Sequence, residues 1–451
     1  MEARPPVPQT PSTNASSRCA APALRADDGG RIEVSLPEAA GAPHGGKIWS
    51  LLVAGDWASC RCFEDAAGRP PEHLYGGLRK HIHGADLAVV NLECALAGDA
   101  PILKDGVNLR GTAESAKALR SAGFHIATLG NNHAFDYGPE GLAGTLKLCE
   151  SAGLGTIGAG MDLEAAARPL IVQCGEVTVG LLSFADREEG DAEPDSPGVA
   201  PALDIHVLDR VRRLSRQADV TVVIVHGGRE YIPVPPPYWY DRVLAIAEAG
   251  ADVVIGHHPH VPQGLTLLNC ANGRTVPVVF STGNFVFRPA QPVENEIPPR
   301  TRDGYMVSAR FSGSQLTGLA LVPYLIDATA GLSKLPPEPL RRFVTMLEAI
   351  NEPLASRSAV KDWFDAVADH QWEHGYRERL EVLTRRMCSG DLEAMRHARS
   401  HHRSPAHTSI IDRAIERRLY GLTGSAPPEI VNRLKGWYAG TWPCPPSDAS
   451  A

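Results

Sequence analysis

Acidic, amide and imidazole side chains recur at the ends of short apolar runs in this chain. The run "SLLVAGD" closes on Asp56, "LAVVNLE" on Asn91 and Glu93, and "HIATLGNNH" on Asn132 and His133. "VTVVIVHGG" delivers His226, and "DVVIGHHPH" delivers His257, His258 and His260. Any one of these has an ordinary explanation, such as a hydrogen-bonded loop histidine or a helix-capping aspartate. Their recurrence at strand after strand is harder to assign to accident. Asparagine is a poor strand former and histidine is costly to bury alone, so the Asn-Asn-His knot of "TLGNNHAFDYG" asks for a role beyond a turn. Carboxylate, imidazole and amide donors together suit borderline divalent metals such as Mn, Fe, Zn or Ni. The absence of thiolates from the set argues for catalysis over a structural zinc.

Elements able to gather such groups are legible around them. The apolar runs read as strands, and between several of them lie helical patterns such as "AESAKALRSAG" and "YDRVLAIAEAG", each closed by a glycine cap. Strand–helix alternation predicts an α/β domain over residues 47–325 whose strands are buried on both faces. In an open parallel sheet, ligands bind at the carboxyl ends of the strands, where these polar groups stand. "MVSARFSGSQLTGLALVPY" reads as a closing hairpin. Residues 1–46, rich in Pro, Ala, Ser and Gly, read as a disordered leader. Residues 326–451 carry repeated Arg and Glu at helical spacing and read as a helical appendage, docked through apolar positions around Leu340, Phe343 and Leu347.

Bulk properties narrow the class. A chain of 451 residues with 43% hydrophobic and 21% charged residues is an ordinary globular composition. The net charge of −8 argues against nucleic acid as a partner, though not against small anionic ligands, which respond to local charge. The nine cysteines form no CxxC pair, which fits free thiols in a reducing compartment. The N-terminal stretch lacks the apolar core of a signal peptide, and no apolar run reaches the ~18 residues of a membrane span. The expected location is cytoplasmic.

Taken in order, "GD", "NLE", "GNNHAFDYG", "HGGREY", "GHHPHV" and "STGNF" resemble the motifs of the CapA-type capsule-synthesis proteins. That family is associated with poly-γ-glutamate or polyglutamine synthesis and belongs to the calcineurin-like metallophosphatase superfamily. The resemblance covers residues 48–324. It implies a four-layer α/β/β/α sandwich, with the helical appendage outside it, and two divalent metal ions held by loops at one end. Carried over residue by residue, it makes Asp56 and His260 ligands of one ion and Asn132, His226 and His258 ligands of the other, with Glu93 bridging. His133 would stand beside them as the group that protonates a leaving atom, and Asp136 would orient its ring.

The chain departs from the superfamily pattern in two places. Asp56 is followed by Trp57 and Ala58 where Asp-x-His is usual, so the first ion loses an imidazole. "HGG" stands where the family has His-Trp-Gly, leaving Trp239 as a candidate for the missing aromatic wall. His257 has no assigned role.

Two divalent ions can activate a water and clamp the attacking and leaving oxygens, at a phosphoryl centre or an acyl carbonyl. Arg110, Arg229 and, less distinctly, Arg187 are candidates for gripping a carboxylate or phosphate, and Glu230 for pairing with Arg229 or reaching the metals through water. Three readings follow. One is a metal-dependent hydrolase or transferase acting on a polyglutamyl or acyl-phosphate substrate. Another is a cytosolic phosphoesterase or amide/acyl-transfer enzyme of small-molecule biosynthesis. The third is a non-catalytic accessory protein that binds a polyglutamyl chain or a synthetase partner.

Overall fold

The computed structural model describes residues 19–37, 46–104, 106–186, 190–287, 297–327, 329 and 331–443, the side chain of Cys62 apart. Two sheets face one another. In the first, Ile48–Trp57, Leu87–Leu92, Ile126–Thr128 and Gly155–Ile157 run parallel, and the antiparallel pair Asp303–Ser312 and Gln315–Asp327 extends it on the other side of Ile48–Trp57. In the second, Val177–Ala185, Val220–His226, Val253–His257 and Thr275–Thr282 run parallel, flanked by Pro262–Asn269 and Leu170–Cys174.

The strands are apolar throughout because both faces are covered. Side chains alternate across a strand, so Leu51 and Val53 point one way and Leu52 and Ala54 the other. The inward set meets Val222, Ile224 and Ile255 of the second sheet in one central core. The outward set packs under the helices Ser115–Ala122 and Gly138–Ser151. Across the molecule, Leu182, Phe184, Val223 and Val225 pack under Val207–Leu214 and Pro237–Glu248. The result is a four-layer α/β/β/α sandwich.

The helices that follow begin at Pro337, after the first sheet has been lengthened by Gln315–Asp327 and the short strand Gly331–Lys334. The first of them, Pro337–Asn351, buries Leu340, Phe343, Met346, Leu347 and Ile350 in the central core. The anchoring face read from the sequence is therefore part of the same hydrophobic interior as the sheets.

The leader is not uniformly without structure. Cys19–Ala20 pairs with Leu267 and Leu268 at the edge of the second sheet, and Leu24–Ala26 and Ile32–Val34 form a hairpin on Leu319–Leu321 of the first. Ile32 and Val34 are buried. These strands are too short to show periodicity, and they form because two sheet edges offer unpaired backbone groups to any nearby chain. Residues 1–18 and 38–45 of the expected leader lie outside the described residues. No helix among the described residues is long and apolar enough to cross a membrane.

Candidate metal centre

The parallel ladders bring the polar strand ends into line. Asp56 lies opposite Asn91, and Asn91 opposite Thr128; on the facing sheet His226 lies opposite His257. The register shifts by one residue between Ala54 and Asp56, and Gly55 permits it: a Cβ there would sit 2.3 Å from the carbonyl oxygen of Gly283. This bulge re-aims Asp56 at the strand's end. The loop after Val253–His257 is strained, with φ of 99° at His258 and 57° at His260. Left-handed backbone at two non-glycine residues costs about 1–3 kcal/mol each and persists only where the surroundings hold it.

Two groups of side chains emerge. Glu93, His226 and His258 form one, and Asp56, Glu93 and His260 the other, with candidate ligand atoms within 4.8 Å of one another in each. Glu93 belongs to both. Its Oε1 lies 3.6 Å from His226 Nε2 and 3.8 Å from His260 Nε2. Asn132 joins the first group, its Oδ1 lying 2.9 Å from His226 Nε2, and His258 Nδ1 is 3.2 Å from the same nitrogen. His260 Nδ1 lies 2.9 Å from Asn284 Oδ1, so a proton donated there leaves Nε2 as the lone-pair atom facing Glu93.

These groups suit divalent ions on their own chemistry. The donors are hard or borderline, all but Asn132 are buried, and Asp56 Oδ2 has no hydrogen-bond partner among the described residues. Ligands must be deprotonated, and the surroundings favour those forms. Burial would raise Asp56, yet His257 and His260 hold its carboxyl well below the usual range. Burial, helped by His258, pushes His226 far down, and burial takes His258 to about 4 against the opposing pull of Glu230. His260 is the exception. Burial lowers it, but Asp56 outweighs that and raises it, so an ion competes with a proton there.

Amides to which the sequence reading assigns no role set the frame. Asn91 Nδ2 donates to Asp56 Oδ1 at 2.9 Å and lies 3.2 Å from His226 Nδ1, while its Oδ1 accepts from Thr128 Oγ1 and Asn131 Nδ2. Asn131 in turn accepts from the His133 amide at 3.1 Å. The Asn-Asn-His knot thus divides its work: Asn131 braces the frame, Asn132 faces His226, and His133 faces the cavity. His257 sits 3.3 Å from Asp56 Oδ1 and 3.1 Å from Thr282 Oγ1, supporting Asp56 from behind.

His133 Nδ1 lies 2.7 Å from Asp136 Oδ2, the contact expected from the spacing, which directs Nε2 away from Asp136. Lys104 was not anticipated. Its buried ammonium pairs with Asp136 Oδ1, donates to the Asn132 carbonyl at 3.0 Å and lies 3.1 Å from His133 Nδ1. Burial would raise Asp136, but His133 and Lys104 bring it down. Burial and Lys104 together lower His133, and Asp136 offsets them only in part. A lone lysine between two motifs carries no periodic signal that could have marked it.

The substrate-binding candidates separate. Arg229 and Glu230 line a cavity of about 200 Å³ beside Asn132, His133 and His258, and Glu230 Oε1 is 3.8 Å from His260 Nε2. Arg110 does not join them: it is exposed, 3.6 Å from Asp99 and stacked over Tyr137. It follows a motif in sequence but points out of the loop that carries it. Arg187 lies outside the described residues. Trp239 does lie against Gly227 and Gly228, where a Cβ would come within 2.8 Å and 3.0 Å of its ring. It is buried in the outer core beneath the loop and is no wall of the cavity.

A family model described as bacterial capsule synthesis protein PGA_cap matches residues 50–289, over half of the chain. The chain belongs to this family. Among curated relatives, the PGA biosynthesis protein CapA of Bacillus subtilis is 33% identical over 204 residues, which is 45% of this chain and 50% of that one. The capsule biosynthesis protein CapA of Bacillus anthracis is 30% identical over 227 residues, 49% of this chain and 52% of that one. The chain thus spans about half the length of these relatives. Among solved structures, a phosphatase from Mycoplasma pneumoniae superposes with a TM-score of 0.40 at 13% identity over 62% of this chain and 94% of that one, too loosely to carry residue roles. The PGA_cap match contains both ligand groups, Lys104, His133 and Asp136, and ends before the C-terminal helices begin.

Proposed function

We propose that this chain is a dinuclear-metal hydrolase or transferase acting on an anionic acyl or phosphoryl substrate in the synthesis of a poly-γ-glutamate or polyglutamine polymer. The observation that carries this reading is the sharing of Glu93 between two three-residue ligand groups, with His133 beside them. Asp56, Glu93 and His260 would hold one divalent ion, and Glu93, Asn132, His226 and His258 the other. Mn, Fe, Zn and Ni all suit these donors. A divalent pair held there supplies an activated water and Lewis acidity.

The chain's own residues then divide the remaining work. Asn91 and His257 fix Asp56, and Asn284 fixes the His260 ring. Two carboxylates cannot neutralise two divalent ions, so the loaded site carries surplus positive charge that favours an anionic substrate. Arg229 adds to it. Asp136 orients the His133 ring and leaves Nε2 to carry a proton to the departing oxygen or nitrogen. A synthetase partner is the natural setting, since a relative of 28% identity is named a probable polyglutamine synthesis accessory protein. A stand-alone small-molecule enzyme is the second reading, favoured by the small volume of the cavity.

Leaving-group dependence in the Mn²⁺-loaded protein tests the chemistry. His133→Ala should keep its metal content and lose about 10²–10⁴ in turnover on substrates with poor leaving groups. The loss should shrink with an activated group such as p-nitrophenolate. Equal losses on both substrate types would remove His133 from proton transfer. A wild-type protein that binds metal but turns over neither phosphoester nor glutamyl amide substrates would favour the non-catalytic accessory role.

A further inference from the structure

We propose that the C-terminal helices form the far wall of this site, and that His407, set by Arg229, is a specificity-determining residue that binds a terminal carboxylate or phosphate of the substrate. The inference rests on reading the centre as one for anionic substrates. It concerns a part of the chain outside the PGA_cap match.

The cavity beside the ligand groups has two sides. Asn132, His133 and His258 line one, and Ser400, Ser404 and His407 line the other. The latter three lie at the junction of the helices Leu392–Arg403 and Pro405–Leu419. Arg229 joins the two sides, with Nη1 donating to His407 Nδ1 at 2.8 Å and its guanidinium over the Tyr376 ring at 5.6 Å. With Nδ1 accepting, the proton of a neutral His407 ring resides on Nε2, which makes Nε2–H its donor. Burial, helped by the Arg229 charge, keeps this ring far below the ordinary histidine range, hence neutral. His401 stacks on it at 4.3 Å and fixes its plane.

The wall is also tied to the ligand loop. Trp437 Nε1 donates to the Tyr231 carbonyl at 2.9 Å, and the Tyr231 amide donates to the carbonyl of Pro259, which lies between His258 and His260. Tyr231 itself has φ of 65°. A cavity of about 200 Å³ is small beside the ~300–1,000 Å³ of typical ligand pockets, so it admits one end group and not the interior of a running polymer. A fixed N–H donor next to a guanidinium is suited to an anionic oxygen.

The test is calorimetric binding of two probes, inorganic phosphate and glutarate, to the full-length Mn²⁺-loaded protein, with metal content measured on every sample. His407→Ala and Arg229→Gln should each weaken at least one probe about tenfold or more, the scale of one hydrogen bond to a charged group, with metal content unchanged. The probe that loses affinity identifies the group as phosphate or carboxylate. His407→Gln, which retains a side-chain N–H, should recover part of the loss. Wild-type affinity for both probes in His407→Ala and Arg229→Gln, with metal retained, would overturn the proposal while leaving the metal reading intact; so would a wild-type protein that binds neither probe. If the wild-type chain holds no metal, the metal reading fails. In that case, loss of probe binding in His407→Ala metal-free protein would still support the wall, and unchanged binding would reject it.

Discussion

The two sides of the cavity are built by different means. On the sandwich side, backbone register does the positioning: parallel strands in step carry Asp56, Asn91, His226 and His257 to one edge, and buried amides lock them. On the helical side, whose apolar residues Phe364, Ile410 and Trp437 share the central core, charged side chains add the cross-links. Arg417 reaches Asp365 and Asp369 at 2.8 Å each, and Arg413 reaches Asp365 at 2.5 Å, all between the helices Arg357–Gln371 and Pro405–Leu419. A ladder of backbone hydrogen bonds is insensitive to pH and to single substitutions. A network hung on two aspartates is not. On the proposed reading, chemistry resides in the durable side and selection in the adjustable one.

The largest effect should come from emptying the durable side. Chelation is expected to abolish turnover and lower Tm, since an ion present at ~100 times its Kd adds about 2.7 kcal/mol to stability. Mn²⁺ should restore both. A Tm that does not respond to chelator would mean that the folded chain holds no ion.

The helical side should then yield to a change that leaves the metals alone. Arg417 is buried, so Arg417→Met takes one partner from each of Asp365 and Asp369; Arg413 and Lys361 still hold Asp365, so the cost should fall below the ~3–5 kcal/mol of a fully broken buried pair. The signature is loss of protection from hydrogen exchange in residues 357–438 with metal content preserved. Acid should loosen the same helices, though without preserving the metal, since the ligands hold ions only when deprotonated. Burial would raise Asp365, but Arg413 and Lys361 lower it, so its contribution is present above the unfolded value of ~3.9 and lost as pH falls through the lower folded value. Uniform unfolding of the whole chain in both experiments would erase the contrast between the two sides.

The smallest expected effect lies at the sheet edge. Ile32→Ala should cost about 2 kcal/mol, the low end for a truncated buried isoleucine, because a three-residue strand one place in from the sheet edge can settle around the gap. No measurable change in Tm would return residues 19–37 to the leader.

What could be read beforehand follows the same division. The sandwich was legible because its strands are long apolar runs with glycine-capped helices between them, and because Asp56, Glu93, Asn132 and His226 stand at the ends of those runs. Lys104 was not, since a single buried lysine in a loop has no pattern. Neither were Ile32 and Val34, whose strand is three residues long. His407 escaped for a different reason: it lies 147 positions from the last ligand-group residue, His260, and only the packing of helices against the 229–231 loop brings it to the cavity. Arg110 was misplaced because proximity to a motif in sequence says nothing about which way a loop side chain turns.

The central claim is that one carboxylate serves two ions, and metal stoichiometry tests it most directly. Plasma emission on wild-type protein reconstituted with Mn²⁺ should give two equivalents per chain. Asp56→Asn and His258→Ala should each retain one, and Glu93→Ala should retain none while keeping a wild-type circular dichroism spectrum. A Glu93→Ala protein that still holds two ions, or a folded wild-type protein that takes up fewer than two at saturating Mn²⁺, would contradict the account.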